Sequence, residues 1–77
     1  MAERSSAQLA LGNAVKRLRI RRGISQEELG LRSRMHRTYV GGIECGIRNP
    51  SYMKLAQLAS ALEVPLSELL ADAERGE

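Results

Sequence analysis

Four consecutive side chains, from His36 to Tyr39, can form directed hydrogen bonds with a planar polar partner. Arg37 carries a guanidinium fork that matches the O6 and N7 acceptors of guanine, and Thr38 offers a hydroxyl and a methyl group that suit the edge of thymine. This stretch therefore has the chemistry needed to read base edges, provided that the fold presents it on an exposed surface.

The sequence offers little for catalysis or for metal binding. It shows no paired carboxylates, no nucleophile beside a base and no phosphate-cradling glycine loop, so we do not expect an enzyme. One His and one Cys do not suffice for a structural zinc site, and we expect no metal, no cofactor and no small-molecule ligand. Cys45 has no second cysteine to resolve an oxidised form, which favours an unreactive, half-buried thiol in a reducing compartment over a redox sensor.

Two short helices joined by a tight turn are predicted to position the base-reading stretch. Ser25 can cap the first helix, and residues 26–28 place carboxylates near the positive pole of that helix. The helical pattern breaks at residues 32–35 and resumes with Val40 and Ile43, three positions apart. The turn therefore directly precedes the residues that could read bases.

The apolar positions of this unit have the spacing of a helix-turn-helix. We expect Gly30 at the closest approach of the two helices and Gly46 in the left-handed conformation that ends the second helix. In such a unit the second helix lies in the DNA major groove and its exposed start reaches base edges. The residues expected to face inward are Leu29, Met35, Val40 and Ile43.

Three further helices are predicted around this pair. The first runs from about Gln8 to Arg22 and ends at Gly23, the fourth follows a Ser51 cap, and the fifth follows Pro65. A chain of 77 residues without Trp or Phe allows one all-α domain of five helices with an aliphatic core at about residues 8–71 and frayed ends. The apolar stripes of the first and fourth helices are Leu11, Val15 and Leu18, and Leu55, Leu58, Ala59 and Leu62.

Charge is unevenly distributed along the chain. Residues 1–40 hold nine Lys or Arg and three Glu, a net charge of +6, while residues 41–77 hold three Lys or Arg and six Asp or Glu, a net charge of −3. Because neutralisation of phosphates dominates affinity for duplex DNA, the basic half suits a DNA-binding helix. We expect a solvated face, with at most one edge toward DNA, for Lys16, Arg17, Arg19, Arg21 and Arg22.

Membrane insertion and secretion are not expected. No apolar run approaches the roughly 20 residues that a membrane-spanning helix needs, and the first residues lack the pattern of a secretion signal. The predicted location is the cytoplasm.

The segments SQEEL, RTYVGGIE, RNPS and VPLSELL resemble the lambda-repressor-like DNA-binding family, also called XRE. Within it, residues 36–44 followed by residues 48–51 are most similar to the controller proteins of restriction-modification systems. The resemblance spans about Leu11 to Leu70. It implies a sequence-specific transcriptional regulator that forms a symmetric homodimer, binds a pseudo-palindromic operator in double-stranded DNA and regulates its own promoter.

The resemblance also implies roles for individual residues at the DNA surface. Arg37 and Thr38 stand where controller proteins present their groove-facing side chains. Gln26 stands where the family donates to a phosphate and supports the reading side chain. Residues expected along the DNA backbone are Gln26, His36, Tyr39, Arg48 and Asn49. For Tyr39, stacking on the sugar-phosphate backbone and covering the edge of the core both stay open.

Two protein contacts are implied in addition. Leu66, Leu69 and Leu70 divide between the core and a dimer interface, because leucines on more than one face of a helix leave at least one exposed until two copies pair. Glu27 is a candidate contact for RNA polymerase, while Glu27 and Glu28 together also stabilise the helix start.

Three features depart from the family pattern. Arg34 occupies the motif turn where Gly is usual, at a cost on the order of 1 kcal/mol if its φ is positive. Cys45 stands where Arg is common, which removes one backbone contact. Gly41 and Gly42 lie inside the recognition helix, where each costs up to about 1 kcal/mol relative to Ala. Close approach to DNA or to the first motif helix would explain them.

Two other functions stay open at this point. A phage-type repressor or the antitoxin of a toxin-antitoxin pair would bind DNA in the same way, and a neighbouring toxin gene, in place of a methyltransferase or nuclease gene, would identify it. A protein-interaction adaptor would present apolar anchors on the second motif helix, where this chain presents Arg37 and Thr38.

Overall fold

Five helices follow one another along the chain, as the periodicity predicts. The computed structural model describes residues 5–76, and this range contains no strand. The all-α fold class is confirmed. The helices are α1 (Ser6–Arg22), α2 (Gln26–Ser33), α3 (Arg37–Glu44), α4 (Tyr52–Ala61) and α5 (Leu66–Arg75).

Serine hydroxyls and left-handed residues set most of the helix ends. Ser25 Oγ accepts a hydrogen bond from the Glu28 N–H at 3.0 Å, and Ser51 Oγ accepts one from the Lys54 N–H at 3.2 Å, so both predicted caps are confirmed. Gly23 ends α1 in the left-handed conformation, with φ of 70°.

Three predicted helix boundaries are wrong by a few residues. A further cap, Ser5, accepts from the Gln8 N–H and starts α1 at Ser6 instead of Gln8. Instead of breaking at residue 32, α2 continues to Ser33, whose buried hydroxyl donates to the Leu29 carbonyl at 2.6 Å. Residues 73–75 belong to α5 and are not loose. The predicted fraying of residues 1–4 and 77 lies outside the described residues.

The core lies where the five helices meet. α1 packs against α3 and α5, α2 packs against α3 and α4, and α4 packs against α5. The predicted inward positions of the motif are confirmed, and Leu11 and Leu55 lie half-buried at the rim. The buried apolar residues are Ala14, Val15, Leu18, Leu29, Met35, Val40, Ile43, Leu58, Ala59, Ala61, Leu62 and Leu69.

Two buried glycines allow helix backbones to touch. A Cβ on Gly30 would lie 2.5 Å from the Met35 carbonyl oxygen and 3.3 Å from the backbone nitrogen of Arg37, the first residue of α3. The predicted close approach of the two motif helices at Gly30 is therefore confirmed where α3 begins. Gly12 does the same in α1, where a Cβ would collide with the carbonyl oxygens of Ile43 and Glu44. The start of α1 therefore rests directly on the last turn of α3.

None of the helices in the described range combines the length and the apolar character that spanning a membrane requires.

Candidate nucleic-acid interface

The start of α3 is an exposed surface. His36 caps the helix, and its Nδ1 accepts the Thr38 N–H at 3.0 Å. In the neutral ring this leaves the proton on Nε2, where it can be donated outward. Arg37 and Thr38 are exposed, and the ion pairs found within residues 5–76 do not involve Arg37. The guanidinium fork of Arg37 is therefore available to a partner.

A buried carboxylate fixes α3 behind this surface. Glu44, at the end of α3, accepts hydrogen bonds from Arg19 Nε at 2.7 Å, from a second Arg19 nitrogen at 3.1 Å and from Gln26 Nε2 at 3.0 Å. Arg19 also donates to the Ile24 carbonyl at 2.9 Å. Because these residues come from α1, α2 and α3, one network joins the recognition helix to both of its neighbours.

The side chain of Gln26 lies between the two motif helices. Its amide group donates to Glu44, so it supports the recognition helix. A Cβ on Gly41 would lie 3.4 Å from Gln26 Oε1, an ordinary contact, while a Cβ on Gly42 would lie 2.6 Å from Cγ of Arg48. A close approach of the first motif helix therefore does not explain Gly41, where a Cβ would fit, and its close approach to DNA stays a prediction. At Gly42 the neighbour is instead the side chain of Arg48.

The loop after α3 presents two of the predicted backbone-contact residues. Gly46 adopts φ of 79°, and the N–H groups of Ile47 and Arg48 both donate to the Gly42 carbonyl. Arg48 and Asn49 are exposed, whereas Pro50 is buried. Tyr39 is half-buried and packs against the core, so its ring covers the edge of the core, and its stacking on DNA stays a prediction.

The solvated face expected on α1 is wrong for two of its five cations. Arg19 binds Glu44, and Arg17 pairs with the buried Asp72. Lys16, Arg21 and Arg22 are exposed as expected, although Arg22 also donates to the Leu62 carbonyl. One signal for this was available, because Glu44 follows Val40 by one helical turn on the buried stripe, and an inward carboxylate needs a cationic partner.

Arg34 and Cys45, which depart from the family pattern, lie directly after α2 and α3. Arg34 has φ of 62°, so it occupies the motif turn in the left-handed conformation. Cys45 is exposed, which corrects the expected half-buried thiol, and its Sγ donates to the Gly41 carbonyl. The exposure arises because Cys45 follows the last turn of α3, beyond the buried stripe.

The leucines of α5 divide between core and surface. Leu69 is fully buried, so it packs in the core and cannot reach a partner, which corrects its inclusion in the dimer interface. Leu66 is half-buried against the core, and Leu70 is 40% exposed. Leu70 lines an apolar groove between α1 and α5, together with Ala7, Ala10, Leu11 and Ala73.

The helix-turn-helix geometry agrees with a family comparison. The helix-turn-helix family model (HTH_3) matches residues 15–69, which include α2 and α3. The chain belongs to the XRE-type helix-turn-helix family. Members of this family are DNA-binding regulators and not enzymes.

Two curated relatives share most of this helix-turn-helix chain. An uncharacterised helix-turn-helix transcriptional regulator, y4dJ of Sinorhizobium fredii, is 40% identical over 60 residues, which are 78% of each chain. The control protein C.BamHI of Bacillus amyloliquefaciens is 34% identical over 67 residues, which are 86% of this chain and 83% of the relative.

Solved structures of controller proteins have the same fold. The restriction-modification controller protein C.AhdI from Aeromonas hydrophila has a TM-score of 0.83 and 38% identity, covering 84% of this chain and 98% of its own. The controller protein C.Esp1396I was solved as a tetramer with its natural 35 base-pair operator. It has a TM-score of 0.80 and 30% identity, and the match covers 90% of this chain and 95% of the C.Esp1396I chain. This chain is a helix-turn-helix transcriptional regulator of the controller type.

Proposed function

We propose that this regulator is the controller protein of a restriction-modification system, binding a pseudo-palindromic operator as a homodimer and regulating its own promoter. The observation that carries the proposal is the exposed start of α3, where the side chains of Arg37 and Thr38 form no hydrogen bond with another described residue. The Glu44 network holds the helix behind them. A rigid helix with an uncommitted guanidinium at its exposed end suits base reading.

The proposed contacts separate into base reading and backbone positioning. Arg37 reads guanine and Thr38 reads the adjacent base edge, which together supply sequence preference. His36, Asn49, Arg48 and Tyr39 contact the sugar-phosphate backbone and set the register of the helix in the groove. Gln26 contacts a phosphate at the start of α2. Its side-chain amide also donates to Glu44 and so supports α3.

The proposed dimer uses the groove between α1 and α5. Leu70 is exposed at the rim of this apolar groove, and a second copy would cover both the groove and the side chain. Leu66 extends the same interface. The tetramer that C.Esp1396I forms on its operator supports assembly from paired subunits. A two-fold dimer would place its recognition helices about one helical turn apart, roughly 34 Å, in successive major grooves.

Regulation then follows from where the operator lies relative to the promoter. A regulator bound to an operator that overlaps the polymerase site represses transcription, and one bound upstream of that site activates it. Glu27 is exposed on α2 and is our candidate for a contact with RNA polymerase in the activating arrangement.

A footprint on the DNA upstream of the gene tests the proposed function. We expect two protected half-sites related by a two-fold axis and separated by one helical turn. Protection without symmetry, or no protection at moderate ionic strength, contradicts the proposal. A methyltransferase or nuclease gene beside it supports the controller role, and a toxin gene contradicts it.

The dimer is tested separately by sedimentation of a Leu70→Asp variant. We expect a shift toward monomer and weaker operator binding, because a carboxylate at this position opposes burial against a second copy. Ile20→Asp is the matched control, since Ile20 is 58% exposed on α1 and does not line the groove. A Leu70→Asp protein that sediments as the wild type does would contradict the proposed interface.

A further inference from the structure

Two cations converge on one aromatic ring beside the recognition helix. Nζ of Lys54 lies 5.4 Å from the centroid of the Tyr39 ring, and Cζ of Arg48 lies 6.0 Å from it. The three residues come from α3, from the loop after it and from the first turn of α4. The fold therefore places both positive charges within about 6.0 Å of one ring, although five residues lie between them in the sequence.

Neither cation is neutralised within the described residues. The ion pairs of residues 5–76 involve other arginines and leave out Arg48 and Lys54. A ring attracts a cation only weakly at the protein surface, so it can orient the charge without cancelling it. Two oriented and uncompensated cations have the chemistry of a binding site for an anion.

The ring and one of its cations are themselves held in place. Tyr39 is half-buried and packs against the core, which fixes the ring. The stem of Arg48 lies over Gly42, where the absence of a Cβ gives it room. Lys54 lies in the turn that Ser51 caps, at the positive pole of α4, where the helix dipole adds to the attraction for an anion.

We propose that Lys54 and Arg48 form one binding site for a phosphate of the DNA backbone and that Tyr39 is its positioning residue. The inference rests on the proposed DNA-binding function and adds Lys54, which the sequence pattern does not indicate. It also gives Tyr39 a specific role, because a ring that covers the core edge on one side orients two phosphate-binding cations at the surface.

The salt dependence of DNA binding tests the role of Lys54. Affinity is measured across a series of salt concentrations on a duplex of fixed, arbitrary sequence, because non-specific binding is almost wholly electrostatic. For Lys54→Gln we expect the slope of log affinity against log salt to become shallower by about 0.9 per protomer. Arg21→Gln is the control, since Arg21 is exposed beside α5 and should leave the slope unchanged.

The role of Tyr39 is tested by its coupling to Lys54. Tyr39→Leu keeps an apolar cover on the core but removes the ring, so Lys54→Gln should then change the slope less than it does in the wild type. Tyr39→Phe keeps the ring and should retain the wild-type slope. Thermal melts establish that each variant is folded, and Tyr39→Met serves for the same comparison if Tyr39→Leu does not fold.

The outcomes separate this inference from the function on which it rests. An unchanged slope for Lys54→Gln, in a protein that binds the duplex normally, overturns the phosphate site alone. A full Lys54 effect in the absence of the ring overturns the positioning role of Tyr39. A wild-type protein that binds no duplex at low salt overturns the proposed function itself.

Discussion

Arg19 and Glu44 form an almost fully buried ion pair that joins α1 to the end of the recognition helix. Arg19 Nε lies 2.7 Å from Glu44 Oε2, and the two side chains are only 12% and 3% exposed. The same carboxylate accepts from Gln26 in α2. A charge at this position is tolerated because the carboxylate accepts three hydrogen bonds, and the pair consequently fixes α3 against its neighbours.

Removal of the carboxylate should strongly destabilise the fold. Glu44→Ala leaves the Arg19 guanidinium buried without a counter-charge, and we expect a loss of roughly 3–5 kcal/mol in the free energy of unfolding. Urea denaturation measures the change. Glu28→Ala is the control, because Glu28 and Arg32 form an exposed pair one turn apart that contributes about 0.5 kcal/mol or less. Equal effects of the two substitutions would contradict the structural role of Glu44.

Gly12 should not accept even one methyl group. A Cβ there would lie 2.6 Å from the Glu44 carbonyl oxygen, and a backbone neighbour cannot turn aside. We expect Gly12→Ala to lower the free energy of unfolding by about 1–3 kcal/mol, against its gain in helix propensity. Gly41→Ala is the matched helical control, with its nearest neighbour at 3.4 Å, and should raise stability by up to about 1 kcal/mol. Thermal unfolding that shows Gly12→Ala to be stabilising would contradict the close contact of α1 with α3.

Arg34 stores backbone strain in the motif turn. Its φ of 62° lowers the stability of the folded state by roughly 1–2 kcal/mol for any residue with a side chain. Glycine avoids this strain but loses about 0.5–1 kcal/mol of stability, because it has more conformational freedom in the unfolded chain. We therefore expect Arg34→Gly to stabilise the protein by less than about 1 kcal/mol. Arg34→Ala retains the Cβ and should give no gain. Chemical denaturation distinguishes the two, and a loss of stability in Arg34→Gly would contradict the strain.

Features formed between neighbours in the sequence, such as helix ends, were easier to predict than contacts between residues far apart in the chain. Ser25, Ser51 and Gly23 act on neighbouring backbone groups, so each helix end they form was predictable. Arg17 and Asp72 are 55 residues apart in the chain, and no periodicity connects them. The same holds for Lys54 and Tyr39, because their proximity depends on how α4 packs. The residues proposed to read bases were predictable as candidates because they directly follow the motif turn, whereas the groups that position them come from other helices.

Arg37 is proposed to read a base when the protein is bound to DNA. Arg37 is exposed at the start of α3 and outside the ion pairs of the described residues, and the Glu44 network holds that helix in place. Arg48, by contrast, is proposed to bind a phosphate, which is the same in every sequence. Replacing Arg37 should therefore weaken binding by an amount that depends on the bases of the operator, whereas replacing Arg48 should weaken binding equally for every base sequence.

The most direct measurement is the affinity of Arg37→Ala for the operator and for each of its single base-pair variants, with Arg48→Ala measured in parallel. We expect Arg37→Ala to lose about 1–3 kcal/mol and to relax specificity at one position in each half-site, while Arg48→Ala weakens all variants similarly. If Arg37→Ala weakens binding equally across every variant, Arg37 does not read a base, and this result contradicts the proposed role of the recognition helix.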